Sequence, residues 1–171
     1  EALECYRRAV EIDPDYSNAW YNLGVVLHRL GRGEDALEAY DRLIEIDPSR
    51  QDVWYNRGLA LYSLGRYDEA AACYDHVLEM DPGDGEVWYN KGLALGRLGR
   101  FEEALGCYDE ALKADPEQPD VMNNRCNTLY DLGRYNDSVG CYDEVIGIDL
   151  GYENAWYNRG VALYKLERYQ E

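Results

Sequence analysis

The chain has 171 residues, with 34 acidic against 17 basic side chains and a formal net charge of -17 at pH 7. That balance argues against a nucleic-acid ligand or an anionic membrane surface, because phosphate recognition needs a basic stripe that releases counterions. No apolar run approaches the roughly 20 residues of a spanning helix and no signal peptide stands at the start, so no membrane association and a cytoplasmic location are the expectation.

The chain opens on Glu1 rather than Met, which makes a fragment or a processed chain the expectation. Ala2 and Tyr6, at i and i+4, begin a helical face that runs to Asp13-Pro14. From residue 17 a 34-residue unit recurs, over 17–50, 51–84, 85–118 and 119–152, with half a unit before it (1–16) and another after it (153–171). Each first segment carries Trp-Tyr-Asn, beginning at Trp20, Trp54, Trp88 and Trp156, with Gly24, Gly58, Gly92 and Gly160 four residues after the Trp. Leu-Gly-Arg closes it, and Gly31, Gly65, Gly99 and Gly133 fit the left-handed residue that stops a helix.

The second segment opens on Ala36, Ala70 or Ala104 and places Tyr40, Tyr74, Tyr108 and Tyr142 on the same face. Pairs of acids such as Glu34-Asp35 and Asp68-Glu69 suit the positive end of its dipole. Pro48, Pro82 and Pro116 disfavour helix at the residue before them and end it. Every unit therefore reads as helix, tight turn and helix, and no strand pattern competes. One such pair cannot bury its apolar face alone, but stacked neighbours form a continuous core. Within it Trp20, Trp54, Trp88 and Trp156 read as core knobs, and the Gly and Ala places as points of close helix approach.

Unit 119–152 breaks step. Met122 replaces the Trp, Asn123 the Tyr, Cys126 the Gly, Ser138 the Ala and Leu150 the terminal Pro. Cys126 and Ser138 occupy both sides of the close-contact seam, so the two changed together. Gly140 and Gly147 weaken the second helix by about 1 kcal/mol each relative to Ala.

Trp, Gly, Ala, Tyr and Pro at these spacings resemble the tetratricopeptide repeat over essentially the whole chain. The resemblance implies an all-α fold: an α-solenoid, a right-handed superhelix of stacked antiparallel helix pairs, with the first helices lining a concave groove. It also implies a protein-protein interaction scaffold that binds an extended peptide or partner segment there. In arrays similar to that of the O-linked sugar transferase, asparagines like Asn22, Asn56, Asn90, Asn124 and Asn158 form a ladder that grips a peptide backbone. The alternative is that these amides only join helices. Tyr21, Tyr55, Tyr89 and Tyr157 border the same groove, with Tyr62, Tyr130 and Tyr164 on the next turn. In the broken unit Asn123, Asn124 and Asn127 share one face, which reads either as a polar hot spot or as part of a looser, drifted helix pair.

A carboxylate clamp for acidic tails needs Lys or Arg on this face. The places just before the Trp sites hold Asn18, Asp52, Glu86, Asp120 and Asn154 instead, and although Asn127 matches a clamp Asn, its partner place holds Asn123. The second-helix segments carry 24 acids and four bases, while the remainder carries 10 acids and 13 bases. Acidity thus belongs to the outer face, and the groove helices are near neutral. Arg32, Arg66, Arg100, Arg134 and Arg168 are expected to pair with nearby acids.

Four of the five cysteines, Cys5, Cys73, Cys107 and Cys141, share one register. Equivalent helices lie at least about 8–10 Å apart, and a disulfide needs Cα atoms within about 7 Å, so these four do not bridge one another. The cysteines read as small apolar packing residues in a reducing compartment. No metal site, cofactor motif, phosphate-cradling loop or Ser-His-Asp set is present, and catalysis is not expected. Two further possibilities remain. The array is the substrate-recognition arm of a larger enzyme, or it self-associates head to tail, since a lone second helix stands at one end and a lone first helix at the other.

Overall fold

The computed structural model describes residues 1–170, and among them it holds ten α-helices and no strand. In chain order they are α1 (Ala2–Ile12), α2 (Ser17–Arg29), α3 (Gly33–Ile46), α4 (Gln51–Ser63), α5 (Tyr67–Met80), α6 (Gly85–Arg97), α7 (Phe101–Ala114), α8 (Pro119–Asp131), α9 (Tyr135–Ile148) and α10 (Glu153–Lys165). The fold is an all-α solenoid of helix hairpins. Two compact units divide it, Glu1–Pro82 and from Gly83 on. In the first, each helix from α1 to α4 packs on its successor, and α2 also meets α4. In the second, the same succession runs from α6 to α10, with α8 meeting both α6 and α10.

The turn inside each hairpin is set by glycine. Gly31, Gly65, Gly99 and Gly133 have φ of 73 to 77°. There the amide of Arg32 reaches back to the Leu27 carbonyl at 3.0 Å and that of Gly31 to His28 at 2.9 Å, which satisfies the carbonyls left over at the helix end. The exit from each second helix rests on aspartate as much as on proline. Asp13, Asp47, Asp81, Asp115 and Asp149 all sit in extended backbone, with φ between -130 and -144°. Oδ1 of Asp13, Asp47, Asp115 and Asp149 accepts the amide two residues on, at 2.8 to 3.3 Å. This local turn is the one Asp favours. It persists at Asp149, where Leu150 stands in place of proline.

The fully buried core is built from Leu, Val, Ala and the repeating Tyr, with Trp at its margin. Tyr40, Tyr74 and Tyr142 are at most 1 % exposed, and Ala36, Ala70 and Ala104 are fully buried. The glycines of the first helices accommodate those rings. A Cβ on Gly24, Gly58 or Gly92 would lie 2.5 to 2.6 Å from Cε1 of Tyr40, Tyr74 or Tyr108. The expectation of tryptophan knobs is corrected here. Trp20, Trp54 and Trp88 are only half-buried and Trp156 is exposed. Their indole N–H needs a partner, and in three copies it donates to a carbonyl six residues earlier: Trp20 to Pro14 at 2.8 Å, Trp54 to Pro48 at 3.0 Å and Trp156 to Leu150 at 3.1 Å. The indoles clamp the entry to each first helix from its edge.

A second correction concerns cysteine. Cys5, Cys73 and Cys107 stay outside any disulfide, in keeping with their shared register, but Cys141 is bonded to Cys126 with Cα atoms 5.5 Å apart. Cys126 stands outside the register, at the place where Gly58 and Gly92 let the second helix come close. The two close-contact residues of the drifted unit do meet, as Ser138 Oγ donates to the Cys126 carbonyl at 3.1 Å and is fully buried. Disulfides persist in oxidising surroundings. The reading of all five cysteines as reduced packing residues therefore fails for this pair.

Candidate functional site

The asparagine places of the first helices are held from inside. Asn22 Nδ2 donates to the Asn18 carbonyl at 2.9 Å, one turn back, and Asn56, Asn90 and Asn124 bond Asp52, Glu86 and Asp120 in the same way at 2.7 to 3.0 Å. Two of these amides also bond across to the first helix before their own. Asn56 Nδ2 reaches the hydroxyl of Tyr21 at 3.3 Å, and Asn124 Nδ2 reaches that of Tyr89 at 3.0 Å. An amide nitrogen has two hydrogens, so both are committed at Asn56 and Asn124. Oδ1 of these two accepts nothing among the described residues, and both side chains are half-buried.

Of the tyrosines, Tyr21, Tyr55 and Tyr89 are half-buried and Tyr157 is 74 % exposed. Arg50 lies 4.9 Å over the Tyr21 ring. Tyr55 and Tyr89 tilt against the core rings Tyr74 and Tyr108 at 6.2 and 6.1 Å between centroids. This row is thus the margin of the core as much as a surface.

In the drifted copy the rung is rebuilt from different residues. Asn123 occupies the tyrosine place but is 7 % exposed, with its Oδ1 buried and unpartnered among the described residues. It stands behind the surface rather than on it. Asn127, one turn on, replaces it. Its Oδ1 accepts from Asn158 Nδ2 at 3.0 Å and from the Tyr142 hydroxyl at 2.6 Å. The equivalent hydroxyls of Tyr40 and Tyr74 are buried without a partner among the described residues. Asn127 gives Tyr142 what those two lack.

Around Asn127 a cleft of about 350 Å³ opens between α8, α9 and α10, lined by Asn127, Tyr130, Asp131, Tyr142, Asn158 and Val161. Asn127, Asn158 and Tyr130 were expected along the groove, Tyr142 only on the core face of its helix, and Asp131 not at all. A signal was present. Place 127 holds Val25, Leu59 and Leu93 in other copies, and place 131 holds Arg29, Ser63 and Arg97. Two polar changes on one helix face mark this copy as chemically distinct. Burial raises the Asp131 carboxyl above its ordinary value and also pushes the Tyr142 phenol up, to about 12.

Four of the five ridge arginines pair with acids as expected, and Arg168 donates to the amide oxygen of Asn136 at 3.3 Å. Arg32 bonds Asp35, Arg66 bonds Glu69 at 2.6 Å, Arg100 bonds Glu103 at 2.7 Å and Arg134 bonds Asp137 at 2.7 Å. A second set went unread. Arg57 bonds Asp41, Arg125 bonds Asp109 and Arg159 bonds Asp143 at 2.6 to 2.7 Å, each tying a first helix to the second helix before it. These arginines follow the ladder asparagines directly, and their nitrogens are spent on the protein itself.

Comparison with known proteins agrees with this architecture. Profiles of the tetratricopeptide repeat match residues 17–50 and 54–122, and a TPR-repeat profile matches 1–31 and 126–167. No curated protein sequence matches the chain. Among solved structures, YrrB, described as a TPR protein with an unusual peptide-binding site, aligns with a TM-score of 0.80 at 23 % identity, over 96 % of this chain and 85 % of that one. MamA from Desulfovibrio magneticus RS-1 aligns with a TM-score of 0.83 at 18 % identity, over 88 % and 85 %. MamA AMB-1 aligns at 0.79 and 23 %, over 87 % and 81 %. At these identities the likeness is one of fold.

Proposed function

The chain belongs to the tetratricopeptide repeat family, a family of protein-interaction scaffolds, and from that premise we propose that its first-helix face binds an extended segment of a partner protein. The observation that carries this reading is the state of Asn56 and Asn124. Each amide is oriented by two bonds to its own protein, which leaves Oδ1 as a fixed acceptor for a backbone N–H. A side chain held in place before binding loses little entropy when it binds. Each such bond nets only about 0.5–1.5 kcal/mol, so the ladder aligns a peptide and side-chain contacts must add the rest. YrrB, of like fold, is described as having a peptide-binding site, which is in keeping with this use of the face.

The test is a peptide-array screen of the purified chain, repeated with Asn56→Ala, Asn124→Ala and Tyr21→Phe, with folding followed by circular dichroism. The asparagine variants are expected to stay folded and weaken the selected peptides about three- to tenfold each. Tyr21→Phe removes the rung but keeps the Asn56 acceptor, and should weaken them less. Selected peptides whose binding survives both asparagine changes would show that the ladder serves only to join helices.

A further inference from the structure

We propose that the cleft between α8, α9 and α10 receives the basic side chain, lysine or arginine, of the bound partner segment. This assignment rests on the peptide-binding reading of the first-helix face and gives it a specificity.

The chemistry of the lining decides among ligands. Asp131 supplies a carboxylate, and no ion pair or hydrogen bond engages it among the described residues. The Tyr142 oxygen, whose hydrogen is committed to Asn127 and which also meets the Ser138 hydroxyl, keeps a lone pair. Asn158 has spent a hydrogen on Asn127 and keeps Oδ1. The ring of Tyr130 lines the same space. A carboxylate, two neutral acceptors and an aromatic ring suit a cation, since an ammonium or guanidinium is all donor and is also drawn to ring faces. An anionic ligand would meet Asp131 and be repelled. An apolar one would shut a carboxylate away from water without a partner, which costs more than the contact returns.

Asp131 is an exposed residue with only part of its surroundings closed off, so a ligand can reach its carboxylate. Burial is what raises the Asp131 carboxyl, and no basic neighbour contributes to its shift. An arriving cation supplies the missing partner. The other copies cannot do the same. Their counterparts of Asp131 are Arg29, Ser63 and Arg97, and their counterparts of Asn127 are the apolar Val25, Leu59 and Leu93. The volume of about 350 Å³ lies at the low end of ligand pockets, suited to one long side chain rather than a folded surface. The drifted unit, on this account, is the place where the array distinguishes one partner sequence from another.

The probe is an acetylated, amidated heptapeptide with a single lysine at the centre of six alanines, titrated into the isotope-labelled chain and followed by amide shifts. Counterparts carry arginine, norleucine or glutamate at the centre. The lysine and arginine peptides are expected to move the amides of Asn127, Asp131 and Asn158, with the norleucine and glutamate peptides at least tenfold weaker. Asp131→Asn should cost about tenfold or more for the basic peptides and nothing in thermal stability, because Asp131 holds no partner in the free chain. Which basic peptide binds more tightly then separates lysine from arginine. If all four peptides shift the first-helix amides alike and Asp131→Asn changes nothing, the basic-pocket inference is wrong and the wider reading of the face stands. If no peptide shifts any resonance at millimolar concentration, the basic-pocket inference is overturned, and the peptide array alone decides the wider reading of the face.

Discussion

Gly58 and Gly106 are both helical glycines, and the structure gives them opposite meanings. A Cβ on Gly58 would lie 2.6 Å from the Tyr74 ring, whereas one on Gly106 meets nothing within 4 Å. Gly58→Ala is therefore expected to destabilise by about 1–3 kcal/mol through overpacking. Gly106→Ala should stabilise by about 0.5–1 kcal/mol through helix propensity. Urea unfolding of the two variants checks the pair, and equal effects would mean that the glycine–tyrosine contact does not shape the core. The sequence announced Gly58 by its recurrence but not what it touches. Trp54 shows the limit of periodicity most plainly. Its repeat placed it on the correct helix, yet the depth depends on where an indole N–H finds an acceptor, and that acceptor is a turn carbonyl of the preceding unit.

Helix by helix, the sequence was an accurate guide, since Gly31 and its equivalents, the Asp-Pro exits and the 3.6-residue faces all act locally. What escaped it was contact between elements. The Cys126–Cys141 bond is the clearest instance, because it requires knowing that the Gly place of one helix faces the Cys place of the next, 15 residues on. The bonds of Asn127 escaped similarly, for its partners come from α9 and α10. Closing a loop of this length stabilises by about 3 kcal/mol in the chain-entropy account. Cys126→Ser, or the native chain under dithiothreitol, is expected to lose about that much in urea unfolding. Intact mass before and after reduction reports the bond itself, and a chain that carries five free thiols after oxidative purification would contradict it.

Across the whole molecule the buried phenols link stability to pH. Burial lifts Tyr142 to about 12, and burial together with the bond to Asp120 lifts Tyr152 to about 12, while Tyr40 and Tyr74 are raised further still. An unfolded tyrosine ionises near pH 10. Below about pH 10 both states keep these protons and the folded state is fully favoured. As pH rises from about 10 through 12 the unfolded chain releases them first, so stability falls with rising pH. The urea midpoint should stay level to about pH 9.5 and drop by about pH 11, with loss of helical ellipticity keeping step with tyrosinate absorbance. A midpoint unchanged at about pH 11 would mean that these hydroxyls reach water.

The tyrosine–asparagine rungs carry a consequence for how such a chain is lengthened or shortened. Each joins residues 35 apart, Tyr21 to Asn56 and Tyr89 to Asn124, so every rung belongs to two successive repeats and to neither alone. A gene duplication that inserts a whole 34-residue period carrying this tyrosine supplies a new one for the displaced asparagine. A single-residue deletion in a turn shifts the helix that follows and misaligns the rung that spans it. Growth by whole periods is therefore the conservative path for this sequence, and the copy beginning at Pro119 shows the other course, in which a lost tyrosine is compensated one helical turn away.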